Sequence, residues 1–200
     1  MDREELKTAV LDNMKARRST RSYTQDPVPK DVLDEIIEAG RYAPSGNNMQ
    51  TTHFYVITSA EKRAGLRAAV TATLKAMTPQ EGMHQTLLGL IKRAQEGEVD
   101  VTYGAPALIV TANKKGSVNA CADCSCALQN MMLAAAALEI GNVWINQFFM
   151  LRDAPPIKDF FAGIGVPEDE ELYGALSVGF TENLETIPRE RTGNPVTYIE

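Results

Sequence analysis

Arg17, Arg18 and Arg21 fall within the heptad RRSTRSY, with Ser19 and Thr20 between them, in a chain of 200 residues whose formal net charge is -6. Guanidinium groups donate hydrogen bonds in a planar fork, and neighbouring hydroxyls can fill the remaining oxygens, so the cluster suits a phosphate monoester. A solvated basic patch at the end of a helix, where arginine meets the negative end of the dipole, is the bland alternative. A second stretch, APSGNNMQ (43–50), combines a proline-serine-glycine loop with amide side chains. Each amide presents a donor and an acceptor in one plane, which matches the edge of a heterocycle, although a turn with nothing to bind has the same composition. Two further stretches complete the set: GNVWINQ (141–147) and the basic pair Arg189 and Arg191 near the C-terminus. Neither G-x-x-x-x-G-K-[ST] nor a G-x-G-x-x-G after a strand is present, so a phosphate here would be held mainly by side chains.

Other chemistries find less support. Cys121, Cys124 and Cys126 lack a fourth cysteine, and His53 and His84 lie far upstream without ligand spacing. The cysteines read as small buried thiols at a helix start, His53 as a strand residue and His84 as a helix residue. No Ser-His-Asp, Cys-His or paired-carboxylate arrangement stands out.

The elements that must carry these residues are legible from periodicity. Leu6, Val10 and Met14 recur four residues apart in an amphipathic helix that ends at the arginine cluster. Leu33, Ile36 and Ile37 face one way along a second helix that runs to Gly40. HFYVIT reads as a strand, and residues 61–98 as mostly helical with a break at TPQEG. The segment from Ala69 to Tyr103, with Met77, Met83, His84 and Leu87, is either a methionine-rich lid or ordinary packing. APALIVTA, VWINQ and LYGALSVGF read as further strands. CALQNMMLAAAALEIG is apolar on nearly every side, as expected of a helix buried in a core or a subunit interface. These alternating short elements leave α+β and α/β both open. Size and an apolar content of 44% predict one domain over 1–200. The acidic balance argues against nucleic acid or an acidic membrane surface as a partner. With no run long enough to span a membrane and no signal-peptide pattern, a cytoplasmic protein is expected.

RRSTR, APSGNNMQ, Asp123 ahead of CALQNMMLAAAALEIG, VWINQ and RER, in this order, resemble the nitroreductase family of flavoproteins, and GVPEDEELYGALSVGF fits that family's penultimate strand. The resemblance implies an α+β fold with a small, mainly antiparallel sheet flanked by helices, assembled as an intertwined homodimer. It also implies bound FMN, with NADH or NADPH as electron donor. Arg17, Arg18, Ser19 and Arg21 would then lie near the ribityl phosphate and pyrimidine side, with Arg191 on the phosphate and Arg189 as a second basic contact. Pro44, Ser45, Asn48 and Gln50 would border the isoalloxazine from the other subunit. Ile145, Asn146 and Gln147 would run along the ring, with the backbone N–H of Asn146 facing the nitrogen that accepts hydride. Arg21 would stabilise charge on the pyrimidine side. The implied activity is ping-pong transfer of hydride from NAD(P)H through FMN to a flat small-molecule acceptor such as a nitroaromatic or a quinone. Reductive dehalogenation, flavin breakdown, dehydrogenation of a specific metabolite and non-catalytic flavin binding are the alternatives. Two departures from the family pattern, Thr51-Thr52 after Gln50 and Phe180-Thr181 after the last strand, bear on the substrate rather than on the phosphate contacts.

Overall fold

The computed structural model describes residues 2–200. Helix α1 (Arg3–Ala16) is started by a capping box, in which Asp2 Oδ1 accepts from the N–H groups of Glu4 (2.8 Å) and Glu5 (2.9 Å) while Glu5 Oε2 accepts from the N–H of Asp2 (2.8 Å). After it come α2 (Lys30–Arg41), β1 (His53–Ile57), α3 (Ala60–Ala76) and α4 (Gln85–Glu96). The second half of the chain supplies β2 (Ala107–Lys114), α5 (Ala120–Ala137), β3 (Gly141–Ile145), α6 (Gln147–Leu151), α7 (Pro155–Gly163) and β4 (Glu170–Gly179).

The strands form one antiparallel sheet in the order β1-β2-β4-β3. Alternation along the strands feeds two cores, one on each face. On one side Leu108 and Val110 of β2 meet Leu66, Val70 and Leu74 of α3 and Ile157 of α7. On the other, Ala107 and Ile109 meet Leu33 and Ile36 of α2 and Leu128 and Met131 of α5. Tyr173 is the extra residue of a β-bulge, since Thr111 pairs with Gly174 and Ala112 with Leu172. The bulge reverses which parity of β4 faces which core. Gly40 of α2 permits close approach to α5, because a Cβ there would lie 2.8 Å from Met131 Cγ.

In the single protomer two helices leave apolar residues uncovered. In the protomer α1 buries no residue, and Leu6, Val10, Leu11 and Met14 stay exposed. Helix α5 is covered on one face only: Asp123, Cys124, Ala127, Leu128 and Met131 are buried, whereas Cys121, Cys126 and Gln129 are exposed. Of the cysteines, therefore, Cys124 alone matches the expectation of a buried thiol. The break in the 61–98 segment falls between α3 and α4, and Met77, Met83 and Leu87 pack against the first core, as structural residues do.

Candidate functional site

The arginine cluster begins where α1 stops. Arg17 caps the helix, its N–H donating to Asn13 O at 3.0 Å, and the chain then turns extended. This arm lies along the edge strand β3: Ser19 forms a parallel bridge with Asn142, and the N–H of Thr20 donates to Asn142 O at 2.8 Å. The arm thereby carries the arginines across the start of β3.

The guanidinium groups have different surroundings. Arg17 is half-buried, and its Nη1 has no hydrogen-bond partner although it is shielded from solvent. Its pKa is lowered from the ordinary value, first by burial and then by the positive charges of Arg18 and Arg191. Arg191 of the tail thus acts on Arg17 from the opposite end of the chain. Arg18 spends its donors on carbonyls: Nη2 to Lys15 O (2.5 Å), Nη1 to Arg17 O (2.6 Å) and Nε to Ile187 O (2.9 Å). Arg21 stands with its Cζ 5.8 Å from the centre of the Tyr103 ring and a long contact of 3.5 Å from Nη1 to Ser19 O. Arg189 forks onto Glu185, with Nη2 at 2.7 and 2.8 Å from the two carboxylate oxygens. Among the described residues, Arg17, Arg21 and Arg191 have no carboxylate within ion-pair distance.

The APSGNNMQ loop sits on the first turn of α5. The N–H of Gly46 donates to the buried carboxylate of Asp123 (Oδ1, 3.0 Å), and the N–H of Gln50 donates to Ser45 Oγ (3.0 Å). Asn47, Asn48 and Gln50 hold φ values of 52°, 53° and 52°, the left-handed region that side-chain-bearing residues avoid. Strain of this kind persists where surrounding contacts over-determine the backbone, and it concentrates at functional sites. Pro44, Ser45, Gln50, Thr52 and Asp123 line a cavity of about 170 Å³. Among the described residues no hydrogen bond or ion pair joins this loop to the arginine arm of the same protomer.

The INQ turn straddles a boundary. Ile145 ends β3 and is fully buried, whereas Asn146 caps α6 and Gln147 begins it, both partly exposed. The expected strand VWINQ therefore ends two residues early.

The titratable groups elsewhere are engaged structurally. His53 Nδ1 lies 2.8 Å from Tyr55 Oη and 3.1 Å from Glu170 Oε1, and Tyr55 Oη donates to Glu170 Oε2 at 2.7 Å. Burial, followed by Glu170, pushes the Tyr55 phenol up. Burial also pushes the Cys124 thiol up to about 11, which makes it a poor nucleophile. His84 caps α4, its Nδ1 accepting from the N–H of Thr86 at 3.2 Å. No group of His, Cys, Asp and Glu among the described residues is arranged to hold a metal ion. A larger cavity of about 390 Å³ lies beside α7 and the start of β4, where Arg152 pairs with Glu171 at 3.2 Å and Lys158 with Asp153 at 3.4 Å.

Tyr103 beside Arg21 carries no local signal of its role, and Asp123, marked in sequence only by its place in the apolar-helix motif, is the anchor of the loop. The arrangement can do two things chemically. It presents unneutralised cations to an anion, and it offers strained, donor-rich backbone to a planar ligand.

Residues 14–180 match the sequence pattern of the nitroreductase family. A nitrobenzene nitroreductase of Ectopseudomonas oleovorans is 25% identical over 203 residues, covering 87% of each chain. A chloronitrobenzene nitroreductase of Comamonas testosteroni is likewise 25% identical, again with 87% of each chain covered. Among solved structures, a nitroreductase with bound FMN from Bacteroides fragilis superposes with a TM-score of 0.83 at 32% identity, over 96% of this chain and 98% of that one. A second FMN-bound nitroreductase, from Desulfitobacterium hafniense, gives 0.77 at 25% identity over 96% and 98%. With the antiparallel sheet, the paired helical layers and the ordered motifs all in agreement, the chain belongs to the nitroreductase family.

Proposed function

We propose that this protein is an FMN-dependent oxidoreductase that takes hydride from NADH or NADPH and passes it, by a ping-pong cycle, to a flat acceptor such as a nitroaromatic or a quinone. One observation carries the reading: Arg17, with a buried and unpartnered Nη1, stands within electrostatic reach of Arg191 and has no carboxylate to neutralise it. A half-buried cation left orphaned is costly, and a dianionic phosphate relieves the cost. The bound FMN of two solved relatives supports the choice of ligand. When bound, FMN supplies the hydride-accepting and hydride-donating ring, which is why the protein needs no nucleophile of its own.

The chain's own residues then divide the work. Arg17, Arg191 and the Ser19 hydroxyl hold the phosphate, while Arg18 and Arg189 act one layer back, through carbonyls and Glu185. Arg21 brings an unpaired cation to the pyrimidine edge, where negative charge accumulates on reduction. The backbone from Ile145 to Gln147 runs beside the ring. In this reading Pro44, Ser45, Asn48 and Gln50 come from a second subunit, as the resemblance to the family implies. A homodimer also covers the apolar residues that α1 leaves exposed and the open face of α5. We read this chain as one FMN-binding domain that works in the cytoplasm, where its nicotinamide donor is found.

A yellow preparation that is bleached by NADH or NADPH under anaerobic conditions, and regains its colour on adding a nitroarene or a quinone, is the expected result. Protein that remains colourless after incubation with FMN overturns the proposal. Colour that no nicotinamide bleaches reduces it to flavin binding.

A further inference from the structure

We propose that Tyr103 is a positioning residue for the flavin chemistry: its ring holds the Arg21 guanidinium at the pyrimidine edge without neutralising the charge. The proposal rests on the flavin reading of the site. Arg21 has few other restraints, with no carboxylate partner among the described residues and only the 3.5 Å approach of Nη1 to Ser19 O. Its Cζ lies 5.8 Å from the centre of the Tyr103 ring, within the reach of a cation–π contact. A carboxylate in that place would hold the arginine more firmly and cancel the charge that the site needs. An aromatic face attracts the cation through its quadrupole and leaves the full positive charge available.

The segment that presents Tyr103 is built for the purpose. Asp100 Oδ1 accepts from the N–H and Oγ1 of Thr102 (2.7 and 2.6 Å), and Asp100 Oδ2 accepts from the N–H of Gly104 (2.9 Å). On either side the turn is tied down, by the N–H of Val99 donating to Thr71 Oγ1 (2.9 Å) and by Gln25 Nε2 donating to Gly104 O (3.1 Å). Residues 21 and 25 of the extended arm thus reach the same turn. Tyr103 itself has φ 59°, and Gly104 follows with φ 72°. A glycine would occupy position 103 with less conformational cost, yet a bulky aromatic residue stands there, exposed to solvent and with its ring beside Arg21. Strain accepted at a residue whose ring touches the candidate tuning cation is the observation that selects Tyr103 over the other exposed aromatic residues.

The test is FMN binding and the two-electron midpoint potential of bound FMN in wild type, Tyr103→Phe, Tyr103→Leu, Tyr103→Gly, Arg21→Met and the double variant Arg21→Met/Tyr103→Leu. Tyr103→Phe keeps the ring and is expected to match wild type. Tyr103→Leu and Tyr103→Gly are expected to lower the preference for reduced over oxidised FMN by about threefold, which for this couple is about 14 mV. Tyr103→Gly does so with no fall in melting temperature, because it suits the left-handed backbone. In the Arg21→Met background, Tyr103→Leu adds nothing. A potential unchanged by both Leu and Gly, or a Tyr103→Leu shift that persists without Arg21, overturns the proposal while leaving the flavin site standing. Wild-type protein that fails to take up FMN removes the site and this proposal together.

Discussion

Arg18 Nε donates to the carbonyl of Ile187 at 2.9 Å, joining the end of the first helix to the C-terminal tail across 169 positions of sequence. With two further bonds to Lys15 O and Arg17 O, the same guanidinium ties the tail to the helix terminus whose capping residue is Arg17. Arg191 lies four residues beyond Ile187, and its charge is felt at Arg17. In the proposed site, Arg18 therefore acts by bringing Arg191 towards Arg17.

Replacing Arg18 with Met should weaken FMN binding about tenfold, roughly the worth of one hydrogen bond to a charged donor. It should also make the tail more sensitive to trypsin after Arg189 and Arg191. Unchanged affinity together with an unchanged digestion pattern would show that the tail holds its place without the staple.

Arg17 offers a trade between stability and binding. Its charge is disfavoured in the free protein by burial and by two neighbouring cations. Arg17→Met should raise the melting temperature of the apoprotein by on the order of 2 °C, a modest gain because the group is half-exposed and screened. The same substitution should abolish the rise in melting temperature that FMN gives the wild type. Arg17→Ala combined with Arg191→Ala should release FMN on dialysis while the fold persists. Retained flavin would refute the assignment of both arginines.

Gly46 and Asn119 form a steric pair, since a Cβ on Gly46 would lie 2.0 Å from Asn119 Nδ2. Gly46→Ala should therefore displace the APSGNNMQ loop from α5 and weaken FMN binding. Asn119→Ala in the same protein should restore much of the loss, because the obstructing group is one side chain. If the double variant binds FMN no better than Gly46→Ala alone, the clash is not the cause.

Cys124 predicts a pH dependence. Its thiol is pushed from 9.0 up to about 11 in the folded protein, chiefly by burial. The folded state thus holds this proton more tightly than the unfolded state, so the contribution to stability is intact below pH 9 and disappears as the pH rises through 11. Tyr173, pushed up to about 12 by burial and by Glu171, adds a loss of the same sign at higher pH. Between pH 8 and pH 10.5 the wild type should lose more melting temperature than Cys124→Ala does. At pH 8 the thiolate is only about one part in a thousand, so iodoacetamide should spare Cys124 until the protein unfolds. Equal pH slopes for the two proteins would contradict the assignment.

Local chemistry suffices for much of this protein. Four-residue spacing, breakers such as DPVPKD and runs such as APALIVTA are enough to mark most helices and strands, though not the short α6, because periodicity and turn residues act within one element. The same locality picks out RRSTR and APSGNNMQ as candidate stretches, and their order along the chain with the other motifs carries the resemblance to the family. What no local pattern contains is which charge stays free. Arg18 and Arg21 stand three positions apart in one motif, yet one is consumed by carbonyls and the other rests on an aromatic face. Arg189 and Arg191 form one pair in sequence, yet Glu185 holds the first while the second is felt at Arg17. The open face of α5 and the parity reversal at Tyr173 belong to the same class of fact. Composition places cations on the chain, but neutralisation depends on which acceptors lie within about 4 Å in space, and only the packed tertiary structure decides that distance.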